Sequence, residues 1–92
     1  MSEQATVSFS DLVLMLATMA AVHFGEVGDP VTGEKQRNMP AAGQMIDLLA
    51  LLQQKTDGNL EPEESQLLET ILYELRLRFI DANKDAPRII TP

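Results

Sequence analysis

The sequence has no cysteine and no tryptophan, and it has only one histidine and one tyrosine. The absence of cysteine excludes disulfides, iron–sulfur clusters, thiolate zinc sites and cysteine nucleophiles, and it is compatible with a reducing cytoplasm. The single histidine, His23, excludes any site that needs two imidazoles from one chain. We therefore expect a cytoplasmic protein without a cysteine-based or multi-histidine centre.

Basic residues are also scarce, because seven Lys and Arg stand against fourteen Asp and Glu and the net charge is −7. Such a chain repels the phosphates of nucleic acids and the surfaces of anionic membranes. We therefore expect no nucleic acid and no membrane among its partners.

The only long apolar run covers residues 12–22 and is interrupted by Thr18 alone. It is too short to span a bilayer, which needs ~20 apolar residues. It resembles the hydrophobic region of a signal peptide, but no Lys or Arg precedes it, whereas Glu3 and Asp11 do. Because a signal peptide begins with positive charge, we interpret the run as a buried helix.

The length of 92 residues predicts a single domain, residues 1–92. A monomer of this size buries only ~60–65% of the surface that its unfolded chain exposes. Its own hydrophobic core is therefore limited, and association with another chain would enlarge it.

The spacing of apolar residues predicts an all-α fold. Three helices are expected, at about residues 9–24, 39–55 and 62–82. The link between the second and third helices is short, so these two form an antiparallel hairpin. The connector 25–38 is long, which is typical of a functional or a loosely tethered loop, and it allows the first helix to pack on its own chain or on a partner. Residues 1–7 and 84–92 are expected to be flexible tails.

Capping signals support these boundaries. Ser8 or Ser10 is a suitable N-cap for the first helix, and Asn38 is suitable for the second. Gly25 and Gly58 follow the first and second helices, where glycine adopts the left-handed conformation that ends a helix.

The third helix is apolar on two sides. At 100° per residue its core-facing arc contains six apolar residues. They are Leu67, Leu68, Ile71, Leu72, Leu75 and Phe79. Tyr73, Leu77 and Ile80 fall on roughly the opposite side, where a helix of a monomeric bundle is expected to be polar.

The other two helices show the same excess. Leu51 lies among the polar residues of the second helix, and the first helix has only a thin polar strip, formed by Asp11 and Thr18. Three helices cannot cover one another on most sides, so we predict a homodimer that completes a larger bundle. The alternative is that these are ordinary scattered surface apolar residues. The candidate interface residues are Leu16, Met19, Leu51, Tyr73, Leu77 and Ile80.

No catalytic or metal-binding motif is present. Residues 53–64 partly resemble a calcium-binding EF-hand loop. However, Gln53 and Lys55 occupy its first and third ligand positions, and a lysine cannot bind the cation. The acids near Pro62 and the histidine at position 23 have the signs that a helix dipole favours. We therefore predict no catalytic residue, no metal, no cofactor and no enzymatic activity.

Asp47 is the only charged residue between Pro40 and Gln54. It lies either on a polar strip with Gln54 or partly buried, where it would pair with Arg76 or Arg78 and set the register of the helices.

Several short motifs together resemble a known family. They are Ile46-Asp47-Leu48-Leu49, Leu52, Lys55-Thr56, Gly58-Asn59-Leu60, Pro62-Glu63-Glu64, Leu67-Leu68, Leu72-Tyr73-Glu74-Leu75-Arg76 and Arg78-Phe79, with Phe9, Leu16-Ala17 and Gly25 upstream. Over roughly residues 9–80, this pattern is similar to the small bacterial proteins catalogued as domain of unknown function 1844. The resemblance implies a short helical bacterial protein without an assigned activity. The chain departs from the family pattern at Glu61, where a threonine cap is expected.

These observations predict a self-associating helical interaction or regulatory module. Its partner is a second copy, with an unidentified protein as a further possibility. The alternative is a protein that holds a small apolar ligand between its helices. Capping, register or partner contact is expected of six polar residues: Asp47, Lys55, Thr56, Asn59, Arg76 and Arg78.

Overall fold

A computed structural model describes residues 7–85 of the chain. Within them lie three α-helices and no strand: α1 at Phe9–His23, α2 at Met39–Lys55 and α3 at Pro62–Asp85. The predicted all-α fold and its three helices are confirmed. The predicted tails, 1–7 and 84–92, fall mostly outside the described residues.

Side chains that precede α1 and α2 accept hydrogen bonds from the first backbone N–H groups of these helices. The Ser8 hydroxyl accepts a hydrogen bond from the Asp11 amide at 3.0 Å, and the Asp11 carboxylate accepts one from the Ser8 amide at 3.0 Å. This reciprocal capping box identifies Ser8, not Ser10, as the cap of α1. The Asn38 side chain caps α2 by accepting from the amide of Ala41 at 3.1 Å.

The start of α3 shows how the chain tolerates Glu61 in place of a better cap. The Glu61 amide donates to the Glu64 carboxylate at 2.9 Å. One half of a capping box is therefore present, supplied from inside the helix.

Two glycines and a buried alanine explain where the helices end. Gly25 and Gly58 follow α1 and α2 with φ of +82° and +85°, which an L side chain rarely adopts. No glycine follows α3, and α3 continues to Asp85, three residues beyond its predicted end. Ala82 is buried against the core, so packing holds this last turn in place.

The core lies where the three helices meet. The residues buried there are Val13, Ala20, Phe24, Ala42, Ile46, Leu49, Leu68, Leu72, Leu75 and Ala82. The predicted core arc of α3 is confirmed, because its six residues are buried in this cluster or packed against it. The first helix packs on its own chain, since Val13 and Ala20 are fully buried in the same cluster.

Backbone hydrogen bonds hold the connector between α1 and α2 in a fixed conformation. Asn38 donates to the His23 carbonyl at 2.7 Å, which closes the loop at its base. Within the loop, Asp29 donates to the carbonyl of Glu34 at 2.8 Å, and its carboxylate accepts from the amide of Val31 at 2.7 Å. The connector is therefore an ordered turn that fixes the start of α2 beside the end of α1.

No helix among the described residues is both long enough and apolar enough to cross a membrane.

The capping box at α1 leads to a stability prediction. Ser8→Ala should lower the free energy of unfolding by about 1 kcal/mol, because the Asp11 amide loses its acceptor. Urea denaturation followed by circular dichroism measures this change. Ser10→Ala is the matched control and should have little effect, since Ser10 is not the cap; an equal loss in both variants would contradict the assignment.

A candidate interaction face on α2 and α3

The outer sides of α2 and α3 carry large apolar side chains that the rest of the chain does not cover. Tyr73, Leu77 and Ile80 of α3 are 65%, 45% and 51% exposed. Their spacing of four and three residues places them in one row along the helix. On α2, Leu48 and Leu51 are 43% and 49% exposed. Four of these five residues are leucine or isoleucine, which are most often buried in globular proteins.

A groove of about 450 Å³ lies between these two helices. Among the described residues, its lining is Gly43, Ile46, Asp47, Arg76, Phe79 and Ile80. The missing side chain of Gly43 leaves the α2 side of the groove open opposite the Phe79 ring. A Cβ added to Gly43 would lie 3.4 Å from Cε1 of Phe79.

A second hollow of about 430 Å³ runs along α2 and is lined by Gln44, Asp47, Leu48 and Leu51. Because Asp47 lines both hollows, the surface is continuous from Ile80 on α3 to Leu51 on α2. Helix α1 contributes no residue to either lining. We call this surface the α2/α3 face and define it by Asp47, Leu48, Leu51, Tyr73, Arg76, Leu77 and Ile80.

The face contains one acidic and one basic side chain, Asp47 and Arg76. Both are exposed and both line the groove. Within the described part of the chain, neither forms an ion pair. Asp47 therefore takes the first of its two predicted positions, on an exposed strip.

Arg78 has a different partner, Glu26 of the connector, at 3.3 Å. Both side chains are nearly half exposed. Such surface pairs contribute roughly 0–1 kcal/mol. The pair attaches the connector to α3, outside the α2/α3 face.

The other polar residues selected from the sequence lie at the turn between α2 and α3. The Thr56 hydroxyl donates to the Leu52 carbonyl at 2.7 Å, and the Asn59 amide donates to the Thr56 carbonyl at 2.8 Å. Thr56 therefore takes part in ending α2, and Asn59 in closing the turn. Lys55 is exposed in the last turn of α2, where its charge has the sign that the helix dipole favours.

The two candidate interface residues on α1 lie away from the α2/α3 face. Leu16 is partly buried and packs against the core. Met19 is 42% exposed, and it shares the outer surface of α1 with the exposed Leu14 and Met15.

Sequence reasoning missed Gly43, Leu48 and the groove itself. Gly43 was a usable signal, because glycine inside a helix costs ~1 kcal/mol relative to alanine and often marks a close approach. Leu48 is not among the candidate interface residues, because helical spacing alone does not say which neighbouring helix covers it.

The titratable residues selected from the sequence lie in two separate places. His23 lines a separate pocket of about 270 Å³ beside the connector, with Asp29 and Glu34, whereas Asp47 lies in the groove between α2 and α3. Among residues 7–85, no group of three or more His, Asp or Glu side chains is placed to hold a metal ion.

Comparison with known families agrees with the pattern noted in the sequence. Residues 6–81 match the family described as domain of unknown function (DUF1844), so the predicted resemblance is confirmed. No curated protein and no solved structure matches the chain.

The environments of two glycines predict opposite effects of the same substitution. Gly43→Ala should raise the free energy of unfolding by about 0.5–1 kcal/mol, because alanine favours the helix and the added methyl meets Phe79 only at ordinary contact distance. Gly58→Ala should lower it by ~1–2 kcal/mol, since a positive φ strains any L side chain although nothing lies within 4 Å. Chemical denaturation of both variants measures the difference, and a loss at Gly43 as large as that at Gly58 would contradict the described groove.

Proposed function

The chain belongs to the DUF1844 family, and we propose that this protein is a self-associating interaction module whose α2/α3 face binds a second copy of the chain. The observation that supports this most strongly is the width of the exposed apolar surface. It includes five large side chains on two adjacent helices, each more than 40% exposed. Contiguous apolar surface of this kind, edged by polar residues, is typical of protein–protein contact sites.

The composition of the face also favours a protein partner. Tyrosine and arginine are enriched among the residues that contribute most to binding at interfaces, and the face contains Tyr73 and Arg76. Gly43 and Phe79 form a shallow depression between the helices, which can receive a protruding side chain.

Helix α1 is a weaker candidate for the contact. It exposes Leu14, Met15 and Met19, but they lie on one helix only. Its only acid is Asp11, and it contains no Lys or Arg. This surface therefore offers no pair of opposite charges, whereas the α2/α3 face contains both signs.

A second copy fits the face better than a small apolar ligand. Ligand pockets enclose 70–90% of a drug-sized molecule, whereas the groove between α2 and α3 is open along its length and edged by the exposed Ile80. The space between the three helices is filled, with Val13, Leu49, Leu68 and Leu72 buried to below 2% exposure.

This role is one of binding rather than catalysis, and we place it in the bacterial cytoplasm. The α2/α3 face supports a binding role, because its only acid, Asp47, lies apart from His23, whereas acid–base catalysis needs titratable groups that converge on a substrate. The absence of cysteine is compatible with a reducing compartment.

The solution mass tests the proposal directly. Light scattering on a sizing column should show a dimer that dissociates reversibly on dilution. Leu77→Glu should raise the dimer dissociation constant at least ~30-fold, corresponding to a loss of about 2 kcal/mol at a buried interface position.

Met15→Glu is the matched control, because Met15 is 54% exposed on α1 and lies off the face. It should leave the dimer intact. A wild-type chain that is monomeric at every concentration would overturn self-association. Equal dissociation by both substitutions would overturn the choice of face.

Tyr73 gives an independent measurement, because it is the only tyrosine and the chain has no tryptophan. Its emission should be quenched readily by acrylamide in dilute protein, where it is 65% exposed, and should be protected at concentrations that favour the dimer. Met15→Glu should show the same protection and Leu77→Glu should not. Quenching that is independent of concentration in a dimeric protein would place Tyr73 outside the interface.

A further inference from the structure

The acid and the base of the α2/α3 face lie at the same level on neighbouring helices. Asp47 of α2 and Arg76 of α3 line one groove, and within residues 7–85 neither has an ionic partner. Apolar side chains lie beside both of them, including Leu48, Leu51 and Ile80. If this face is covered, both charges lose water and need a partner of opposite sign.

Symmetry limits how two copies can meet through this face. An isologous dimer has a two-fold axis, so every contact occurs twice. If the axis runs parallel to the helices, α2 of one copy lies across α3 of the other at the same level, and Asp47 faces the partner's Arg76. If the axis is perpendicular to the helices at that level, α2 meets α2 and Asp47 faces the partner's Asp47.

Resting on the proposed self-association, we propose that the two copies pair about the axis parallel to the helices, with Asp47 of each copy bound to the partner's Arg76. Opposite charges set the orientation, because placing like charges together across an interface costs several kcal/mol. The protein as a whole carries a charge of −7, so two copies repel one another elsewhere. This face offers a local balance of charge.

The same arrangement defines the apolar contacts. One helical turn beyond Asp47 on α2 is Leu51, and one turn before Arg76 on α3 is Tyr73. Because α2 and α3 are antiparallel, these two residues also share a level. In the dimer, Leu51 therefore packs on the partner's Tyr73, once on each side of the axis.

Charge reversal followed by mixing tests the pairing. Asp47→Arg places two bases together, and Arg76→Asp places two acids together, at both symmetric contacts. Each variant alone should therefore raise the dimer dissociation constant at least ~100-fold. An equimolar mixture of the two variants should recover dimers, because each variant then presents the charge that the other lacks.

The mixture distinguishes pairing between copies from pairing within one chain. A chain that carries both substitutions should dimerise again in either case. A mixture of the two single variants recovers dimers only if the contacts are between copies. Glu74→Arg and Lys35→Asp are matched controls for the change in net charge, since both residues are exposed and lie outside the groove. Both controls should dimerise like the wild type, and circular dichroism should show native helicity in every variant.

Engineered cysteines give a second readout in a chain that has none of its own. A mixture of Leu51→Cys and Tyr73→Cys chains should form a mixed disulfide under mild oxidation. Asp47→Cys chains alone should form no disulfide; a disulfide between two Asp47→Cys chains, with none in the mixture, would indicate the perpendicular axis and overturn the proposal.

The outcomes separate the two proposals. A dimeric wild type whose charge-reversed variants behave like the controls would overturn the Asp47–Arg76 pairing and leave self-association in place. A monomeric wild type would overturn both. Dissociation by each variant with recovery in the mixture would support both.

Discussion

Each helix of a three-helix bundle can cover only one stripe of its neighbours, and this geometric limit determines the surface of the whole protein. The inward stripes of α1, α2 and α3 meet in one cluster, where Val13, Leu49 and Leu68 are fully buried. No fourth element covers the outer sides of α2 and α3 among the described residues, so Leu51 and Tyr73 remain in contact with water. In the proposed dimer a second copy would cover them, which adds helices without lengthening the chain.

In the proposed dimer, the charges within the exposed face would give the apolar contact a defined orientation. Apolar burial is non-directional and favours any close approach. An acid and a base at the same level of two antiparallel helices favour one axis of rotation over another. Asp47 and Arg76 would then contribute more to the choice of arrangement than to affinity, which is how electrostatic complementarity usually acts at interfaces.

The loops determine which sides of the helices are left uncovered. The hydrogen bond from Asn38 to the His23 carbonyl sets α2 beside the end of α1, and Gly58 reverses the chain within a short turn. These constraints place α1 against the inner sides of α2 and α3, because the core residues of all three helices must meet. The outer groove between α2 and α3 is therefore left open. Because Gly43 has no side chain, the Phe79 ring lines this groove.

Much of the fold could be predicted from the sequence, because caps, glycines and apolar spacing act within a few residues of one another. Ser8, Asn38 and Gly58 mark helix ends by local hydrogen bonding and backbone geometry, and the core stripe of α3 follows from the helical repeat. The same spacing selected Tyr73, Leu77 and Ile80 as apolar residues facing away from the core. Only the tertiary structure decided that Leu48 and Leu51 of α2 lie on the same face as these three residues of α3. It also decided that Asp47 and Arg76 share one groove. Both facts depend on the rotation of α2 about its axis and on its register against α3, and these are set by how the side chains of all three helices pack together.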